Sequence, residues 1–379
     1  LPRSEKPTAA TTDAHPAGRA LRLGADLYAI QTQPGLEGIA LEEAAARIPG
    51  ARPLTDRVMP ERSGLGIFTA RCSPALLKLR CAEDLFAVMA YRRAIDGDLE
   101  AVRAAVRDTW HLEWALQART RLMPGSRSGR RLRFRVVARM AGEHEFRRVD
   151  FKRAVDKGVI ERADHAWHLD EERADLEIWA TLIGDEFIAM LRLSDDRMRH
   201  REYKIADRPG SLRPAVAAAL AWLSGPRDDD VVLDPACGIG TILIERAELG
   251  RYKLLLGGDH DSEALAAARL NVGPRYKPIE LRVWDAVAMP LADRSVSAIV
   301  TNLPWGMKFG SHRDNRRLYP RLIEEFKRVL APGGRMVMLT GERALMRELI
   351  ADRAIAPERV LKVSILGAFA EIFVCRGQA

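Results

Sequence analysis

The chain has 379 residues, 47% of them hydrophobic and 30% charged, with a formal net charge of +8. That length accommodates two or three domains with their own cores, and no apolar run approaches the roughly 20 residues a membrane-spanning helix needs. The charge favours an anionic partner, nucleic acid first, while four cysteines (Cys72, Cys81, Cys237 and Cys375) without CxxC or metal-ligand spacing argue against zinc and structural disulfides and for a reducing, cytoplasmic setting.

Residues 1–24 are polar, lack the apolar core of a secretory signal, and are expected to form a disordered tail. Residues 25–95 predict an α+β module: a strand (Asp26–Thr32), a helix (Leu36–Ile48), a strand near Gly66–Arg71 and a helix (Pro74–Tyr91). Residues 96–195 predict a second module. It has a helix around Leu99–Leu116, an arginine-rich strand, a helix over Asp150–Arg162, and a hairpin of Leu176–Ile183 and Glu186–Leu193 turning at Gly184-Asp185. Between Arg119 and Arg153, twelve basic residues are opposed only by Glu143, Glu145 and Asp150. Strand alternation puts Arg131, Arg133 and Arg135 on one face, with Leu132, Phe134 and Val136 on the other. So one-sided a balance favours a phosphate-binding surface, with Arg147, Arg148 and Lys152 continuing it, over a merely solvated strand face.

Residues 196–209, polar and containing Pro209, read as a linker to a C-terminal domain over residues 210–379. There, strands Val231–Asp234, Lys253–Asp259, Glu280–Asp285, Ser297–Asn302 and Arg335–Gly341 alternate with helical patterns over Ile242–Leu249, Glu263–Val272 and Leu318–Leu330. Two closing strands, Leu361–Leu366 and Glu371–Arg376, are joined by only Gly367-Ala-Phe-Ala370, which forces them antiparallel. The fold class is α/β: a doubly wound seven-stranded sheet with an antiparallel terminal hairpin.

Asp234-Pro-Ala-Cys-Gly-Ile-Gly-Thr241 leaves the first of these strands, where open α/β sheets bind ligands. Its glycines permit a tight turn and close backbone approach at a helix N-terminus. The third glycine of a dinucleotide-binding turn is missing. Asp234 suits a cofactor bearing an amino-acid ammonium better than one bearing a pyrophosphate. Asp259 in Gly257-Gly-Asp-His-Asp261 ends the second strand, 25 residues on, at a spacing that suits an acceptor for ribose hydroxyls. Asp285 ends the third, placed to accept from an adenine amine. Three acids at successive strand ends form a ribbon along one sheet edge; His260 reads as a solvent-facing turn residue.

Asn302-Leu-Pro-Trp-Gly306 follows the fourth strand. The Asn302 side-chain oxygen and the Leu303 carbonyl can accept the two hydrogens of a planar amine, and Pro304 fixes the backbone between them. Trp305 offers a face for base stacking. An ordinary strand-end turn with a core tryptophan is the plainer alternative. Arg313, Arg316 and Arg317 in the segment Ser311–Arg317, with Lys308, border this motif and suit a phosphate, or simply form a basic surface loop.

Over about residues 205–379 this constellation resembles the class I methyltransferases that use S-adenosylmethionine (SAM), in the amino-methylating branch whose motif runs Asn-Pro-Pro-Tyr. The resemblance implies that Asp234, Pro235, Cys237, Gly238, Gly240 and Thr241 form the first cofactor motif. It further assigns Asp259 with His260 to the ribose, Asp285 with Ala286 to the adenine, and Asn302, Leu303, Pro304 and Trp305 to catalysis. Gly210-Ser-Leu-Arg-Pro214 resembles the upstream segment beside the methionine end of SAM, which places Ser211 and Leu212 at the cofactor. In the N-terminal half, Phe134-Arg-Val-Val137, Glu143-His-Glu-Phe146, Lys152–Ile160, Leu191-Arg-Leu-Ser-Asp195 and Arg201-Glu-Tyr-Lys204 resemble a THUMP domain, an RNA-binding module, preceded by a ferredoxin-like one.

Leucine in place of the first proline, followed by Trp305-Gly306 and Lys308-Phe-Gly310, resembles the THUMP-type tRNA guanine-N2 methyltransferases acting on the acceptor stem. The resemblance implies SAM as cofactor, tRNA as partner, and N2-methylguanosine as product, with no metal or membrane and a monomer as default. Ribosomal RNA guanine-N2 methylation is the neighbouring alternative. A non-catalytic RNA-binding protein with a degenerate methyltransferase domain is the alternative of another class.

Overall fold

The computed structural model describes residues 26–59, 63–95, 97–109, 111–306, 311–352 and 355–377. The tail over residues 1–24 and the site candidate Lys308 fall outside the described residues.

The first unit opens with β1 (Leu27–Thr32), α1 (Glu37–Arg47), β2 (Arg52–Met59), β3 (Ser63–Thr69), a 3-10 turn at Pro74–Lys78, and β4 (Asp84–Arg92). The expected helix over Pro74–Tyr91 is thereby corrected to a turn and a strand. Residues 84–90 are all buried, and an apolar run covered on both faces carries no period that separates strand from helix. β2 escapes sequence reading because it is a mostly exposed edge strand containing Pro53. Next come α2 (Leu99–Arg107) and α3 (Leu112–Leu122), where the pattern predicts one helix, then β5 (Arg133–Ala141), α4 (Arg148–Arg162), β6 (His168–Leu169), β7 (Leu176–Ile183) and β8 (Glu186–Arg192). Leu132, Phe134 and Val136 are buried as the alternation requires.

These eight strands form one sheet in the order β2-β3-β1-β4-β8-β7-β5-β6. The two expected N-terminal modules therefore share a sheet, joined where β4 pairs antiparallel with β8. The sheet curls. Four strands separate β3 from β5, which in a flat sheet would hold them more than about 20 Å apart. Yet Arg139 Nη1 on β5 donates to Ser63 Oγ on β3 at 2.7 Å. The concave side is filled by Leu27, Ile67, Phe86, Trp179 and Met190, and the Arg139 guanidinium lies 4.1 Å from the Trp179 ring centre.

The second unit comprises α5 (Pro214–Leu223), β9 (Val231–Asp234), α6 (Thr241–Leu249), β10 (Leu254–Asp259), α7 (Ser262–Val272), β11 (Ile279–Val283), β12 (Val296–Asn302), α8 (His312–Val329), β13 (Leu330–Thr340), α9 (Arg343–Asp352), β14 (Pro357–Ile365) and β15 (Ala368–Arg376). Its seven strands run β11-β10-β9-β12-β13-β15-β14, parallel through β13, with β15 antiparallel to both neighbours. This is the doubly wound sheet with a reversed terminal hairpin that the sequence predicts. Its order reverses between β9 and β12, the switch point at which such sheets open a crevice.

The segment expected to be a linker is pinned between the units. Arg201 Nε lies 3.4 Å from Glu245 Oε1 and Tyr203 Oη 2.7 Å from it, and Arg80 of the first unit grips the same fully buried carboxylate at 2.8 and 3.0 Å. Ala206 exchanges two hydrogen bonds with the Asn271 side chain. Across the boundary, the Ser364 N–H of β14 donates to the Pro34 carbonyl at 2.9 Å. Gly35 makes that approach possible: its φ is +94°, and an added Cβ would sit 2.0 Å from the Lys362 carbonyl oxygen.

Candidate active site

A cavity of about 850 Å³ opens where β9, β10 and β12 end. Every residue the sequence assigns to the cofactor lines it except Gly240. Gly240 instead caps α6 with φ +81°, and its missing side chain faces Ala268 and Val272 of α7. In this position it serves the turn geometry and the packing of α6 on α7. Gly238, at φ +53°, does face open space: an added Cβ would meet nothing within 4 Å.

Asp234 is 1% exposed, and no cation pairs with it among the described residues. Its oxygen accepts a long 3.4 Å bond from the Ala236 N–H, and a hydrogen bond from the Thr301 side chain also favours its charged form. Burial pushes its carboxyl up to about 7, with nearby Asp259 adding to the rise. A buried carboxylate left without a counter-charge is a receptor for a ligand ammonium. Asp259 accepts from the Gly238 N–H at 2.8 Å and the Asp261 N–H at 3.0 Å, which ties the glycine turn to the second strand and leaves further lone pairs for hydroxyls. Asp285 is exposed and accepts from the Val287 N–H, while the His260 side chain is 91% exposed. Burial pushes the Cys237 thiol up, which leaves it a packing group. Ser211 reaches the cavity with its hydroxyl held by Lys204 and Asp207. Trp284, which sequence reasoning does not single out, donates to the Pro235 carbonyl at 3.1 Å and fills the space above Gly258, propping the turn from behind.

On the acceptor side, Asn302, Leu303, Pro304 and Trp305 all line the same cavity. The Trp305 Nε1–H donates to Asn302 Oδ1 at 3.0 Å. Besides the stacking surface expected of it, the tryptophan orients the Asn302 amide and occupies one of the two lone pairs on its oxygen. Its ring packs on Gly341, where an added Cβ would come within 2.9 Å of it.

The motif is held from below by residues with no signature in the sequence. Asn315 Nδ2 and Tyr319 Oη, one helical turn apart on α8, both donate to the Pro304 carbonyl, at 3.0 and 2.6 Å. Tyr319 also shares a 2.7 Å bond with Thr340, and Glu342 accepts from Asn315 at 2.9 Å and pairs with His312. With Pro304 so engaged, no described donor reaches the Leu303 carbonyl, which stays available for a ligand.

The arginine-rich strand needs correction. Arg133 is clamped by Asp175 at 2.9 Å and lies near Asp170, Arg135 pairs with Glu177, and Lys152 pairs with Asp156 and Glu171. Glu177 lies on β7, the parallel neighbour of β5, with Asp175 just before it, while Asp170 and Glu171 precede β7 and Asp156 is on α4; all lie beyond residue 153, so a count along residues 119–153 cannot include them. Arg147, 81% exposed, lies near Asp150, whereas no described acid pairs with the exposed Arg131 and Arg148. Arg313, Arg316 and Arg317 are likewise exposed and have no acidic partner among the described residues, on the helix that holds the Asn302–Trp305 segment.

Residues 201–368 match the family described as RMKL-like, methyltransferase domain. The chain is 30% identical over 346 residues to a tRNA (guanine(6)-N2)-methyltransferase of Thermus thermophilus, a match covering 90% of this chain and 97% of that one. It is 29% identical over 264 residues to the tRNA (guanine(6)-N(2))-methyltransferase THUMP3 of Mus musculus, covering 65% and 52% respectively. The chain spans about half the length of the mammalian relatives it matches. Among solved structures it resembles TrmN from Thermus thermophilus, with a TM-score of 0.74 at 28% identity over 93% of this chain and 99% of that one.

Proposed function

The chain belongs to the tRNA (guanine-N2)-methyltransferase family, and we propose that it methylates the exocyclic N2 of a guanosine in the tRNA acceptor stem, at position 6 as in the relatives' names. The observation that carries this reading is one cavity holding both an uncompensated buried carboxylate, Asp234, and the Asn302-Leu-Pro-Trp motif. SAM bound there supplies an electrophilic methyl group. Asp234 receives the methionine ammonium, the Gly238 turn admits the chain of the cofactor, Asp259 accepts from the ribose, and Asp285 beside Ala286 accepts from adenine.

Guanine N2 is a weak nucleophile because its lone pair is delocalised into the ring. The second lone pair of Asn302 Oδ1 and the Leu303 carbonyl accept its two hydrogens, which draws the nitrogen out of conjugation and fixes its direction. These oxygens also face the positive charge that develops on N2 as the new bond forms. Trp305 gives the base a surface to stack on. The N-terminal unit serves as the THUMP-type RNA-binding part, and exposed Arg131, Arg148, Arg313, Arg316 and Arg317 take phosphates. Four free thiols, three of them buried, fit work in the cytoplasm.

The test is incubation with SAM and unmodified tRNA or ribosomal RNA, followed by nucleoside mass spectrometry. N2-methylguanosine in the tRNA pool is expected. Its appearance only in ribosomal RNA would overturn the substrate, and a methylated adenosine would overturn the acceptor. Asn302→Ala should lose at least about 100-fold in kcat while binding SAM normally, as removal of a transition-state donor or acceptor does elsewhere.

A further inference from the structure

The turn between β14 and β15 consists of Leu366 and Gly367, both with positive φ, +52° and +82°. Two-residue turns of this hand are ordinarily built from asparagine or glycine, because a side chain beyond Cβ strains the left-handed backbone. Leucine is a costly choice there, and burial among the described residues does not offset it: the residue is 70% exposed. It is nonetheless part of the wall of the cavity, which it lines with Ile365 and Ala368 and which Asn302 and Trp305 line as well.

The turn is also held firmly. Ser364 donates to Pro34, as described above. The Leu366 N–H points at Gln33 Oε1 at 3.5 Å, and Gln33 Nε2 in turn donates to Glu83 Oε1 at 2.9 Å. Arg213, another cavity-lining residue, donates to the same Glu83 oxygen at 3.0 Å. A bare leucine is thus carried on a braced tip, at the seam between the RNA-binding unit and the catalytic one.

We propose that Leu366 is a wedge that enters the stem of the substrate RNA and fills the gap left when the target guanosine turns out into the cavity. The proposal rests on the reading of the cavity as a guanine-N2 site. A base in a stem has its N2 turned into the groove and its faces stacked, so it reaches Asn302 only after leaving the helix. Extrusion breaks stacking on both sides, and an apolar side chain inserted between base steps compensates for that loss. The side chain must be apolar, exposed, rigidly carried and beside the pocket, and Leu366 meets all four conditions. No bond is made or broken by it; it is a positioning residue.

The experiment compares the wild type with Leu366→Gly and Phe369→Ala on two RNA hairpins. One pairs the target guanosine with cytidine; the other has an abasic nucleotide opposite. Leu366→Gly relieves the positive φ and keeps the fold, which its melting temperature checks. Phe369, 59% exposed on the same hairpin but not lining the cavity, is the control for general apolar contact. Leu366→Gly is expected to lose roughly 10- to 100-fold in kcat/KM on the paired hairpin. It should lose under about threefold where no pairing holds the base in the stem and extrusion costs less, and Phe369→Ala should match the wild type on both.

With 2-aminopurine at the target position, the wild type should raise its fluorescence on binding, and Leu366→Gly should not. Equal losses on both hairpins, or no loss on either, would overturn the wedge. A Leu366-dependent fluorescence rise without any N2-methylguanosine would uphold the wedge and overturn the guanine-N2 reading, so the two failures are distinct.

Discussion

Replacing Asp234 by asparagine should make the protein more stable and useless at once. The Asp234 carboxyl is pushed from its ordinary 3.8 up to about 7, chiefly by burial. The folded-state value lies above the unfolded one, so the group's contribution to stability is complete below about pH 4. It is lost as pH rises towards 7 and stays lost above that. A shift of roughly three units corresponds to at most about 4 kcal/mol. Asp234→Asn escapes that penalty but buries an amide whose hydrogens need partners, so a gain of about 2–4 kcal/mol at pH 8 is expected.

For a domain of this size that is on the order of 10 °C in Tm. Differential scanning fluorimetry of both proteins from pH 5 to pH 8 measures it, and the difference should shrink towards the acid end. Adding S-adenosylhomocysteine, which carries the same ammonium, should raise the wild-type Tm by mass action and leave the variant's nearly unmoved. A variant no more stable than the wild type at pH 8, or a difference indifferent to pH, would refute the claim that this carboxylate is held without a counter-charge for the ligand's sake.

Gly341→Ala places a Cβ about 2.9 Å from the Trp305 ring and should displace its N–H from Asn302; kcat should fall by about tenfold or more with SAM affinity unchanged, and steady-state kinetics with isothermal titration will show whether the two separate. Neutralising Arg313, Arg316 and Arg317 together should reduce the slope of log Kd for tRNA against log salt by roughly two to three. Neutralising Arg133 and Arg135 should change it far less, because their charges are already paired. Gly35→Ala combines a positive φ with a backbone clash and should destabilise the union of the two units by about 3 kcal/mol or more, read as a lower Tm.

The catalytic sheet was legible because its information is local. Each short β-branched run ends in a turn whose glycine or acid has to be where it is, as at Gly238 and Asp259. What escaped reading depends on partners distant in the chain. β4 is buried on both faces and so carries no alternation. The acids that neutralise Arg133 and Arg135 sit 42 positions further on and become neighbours only when β7 pairs with β5. Asn315, Tyr319 and Glu342 acquire meaning only once α8 and the end of β13 converge beneath Pro304. Trp305 is an intermediate case: aromatic character at that position signals stacking, but only an indole has the N–H that reaches Asn302.

The convergence of Arg80, Arg201 and Tyr203 on Glu245 has a consequence for how the substrate is chosen. With no slack tether between the two units, the span from the N-terminal unit to Asn302 is a constant of the molecule. An RNA gripped by the N-terminal unit, as proposed above, would be measured as by a calliper, its target nucleotide set by the distance along the RNA from the gripped end.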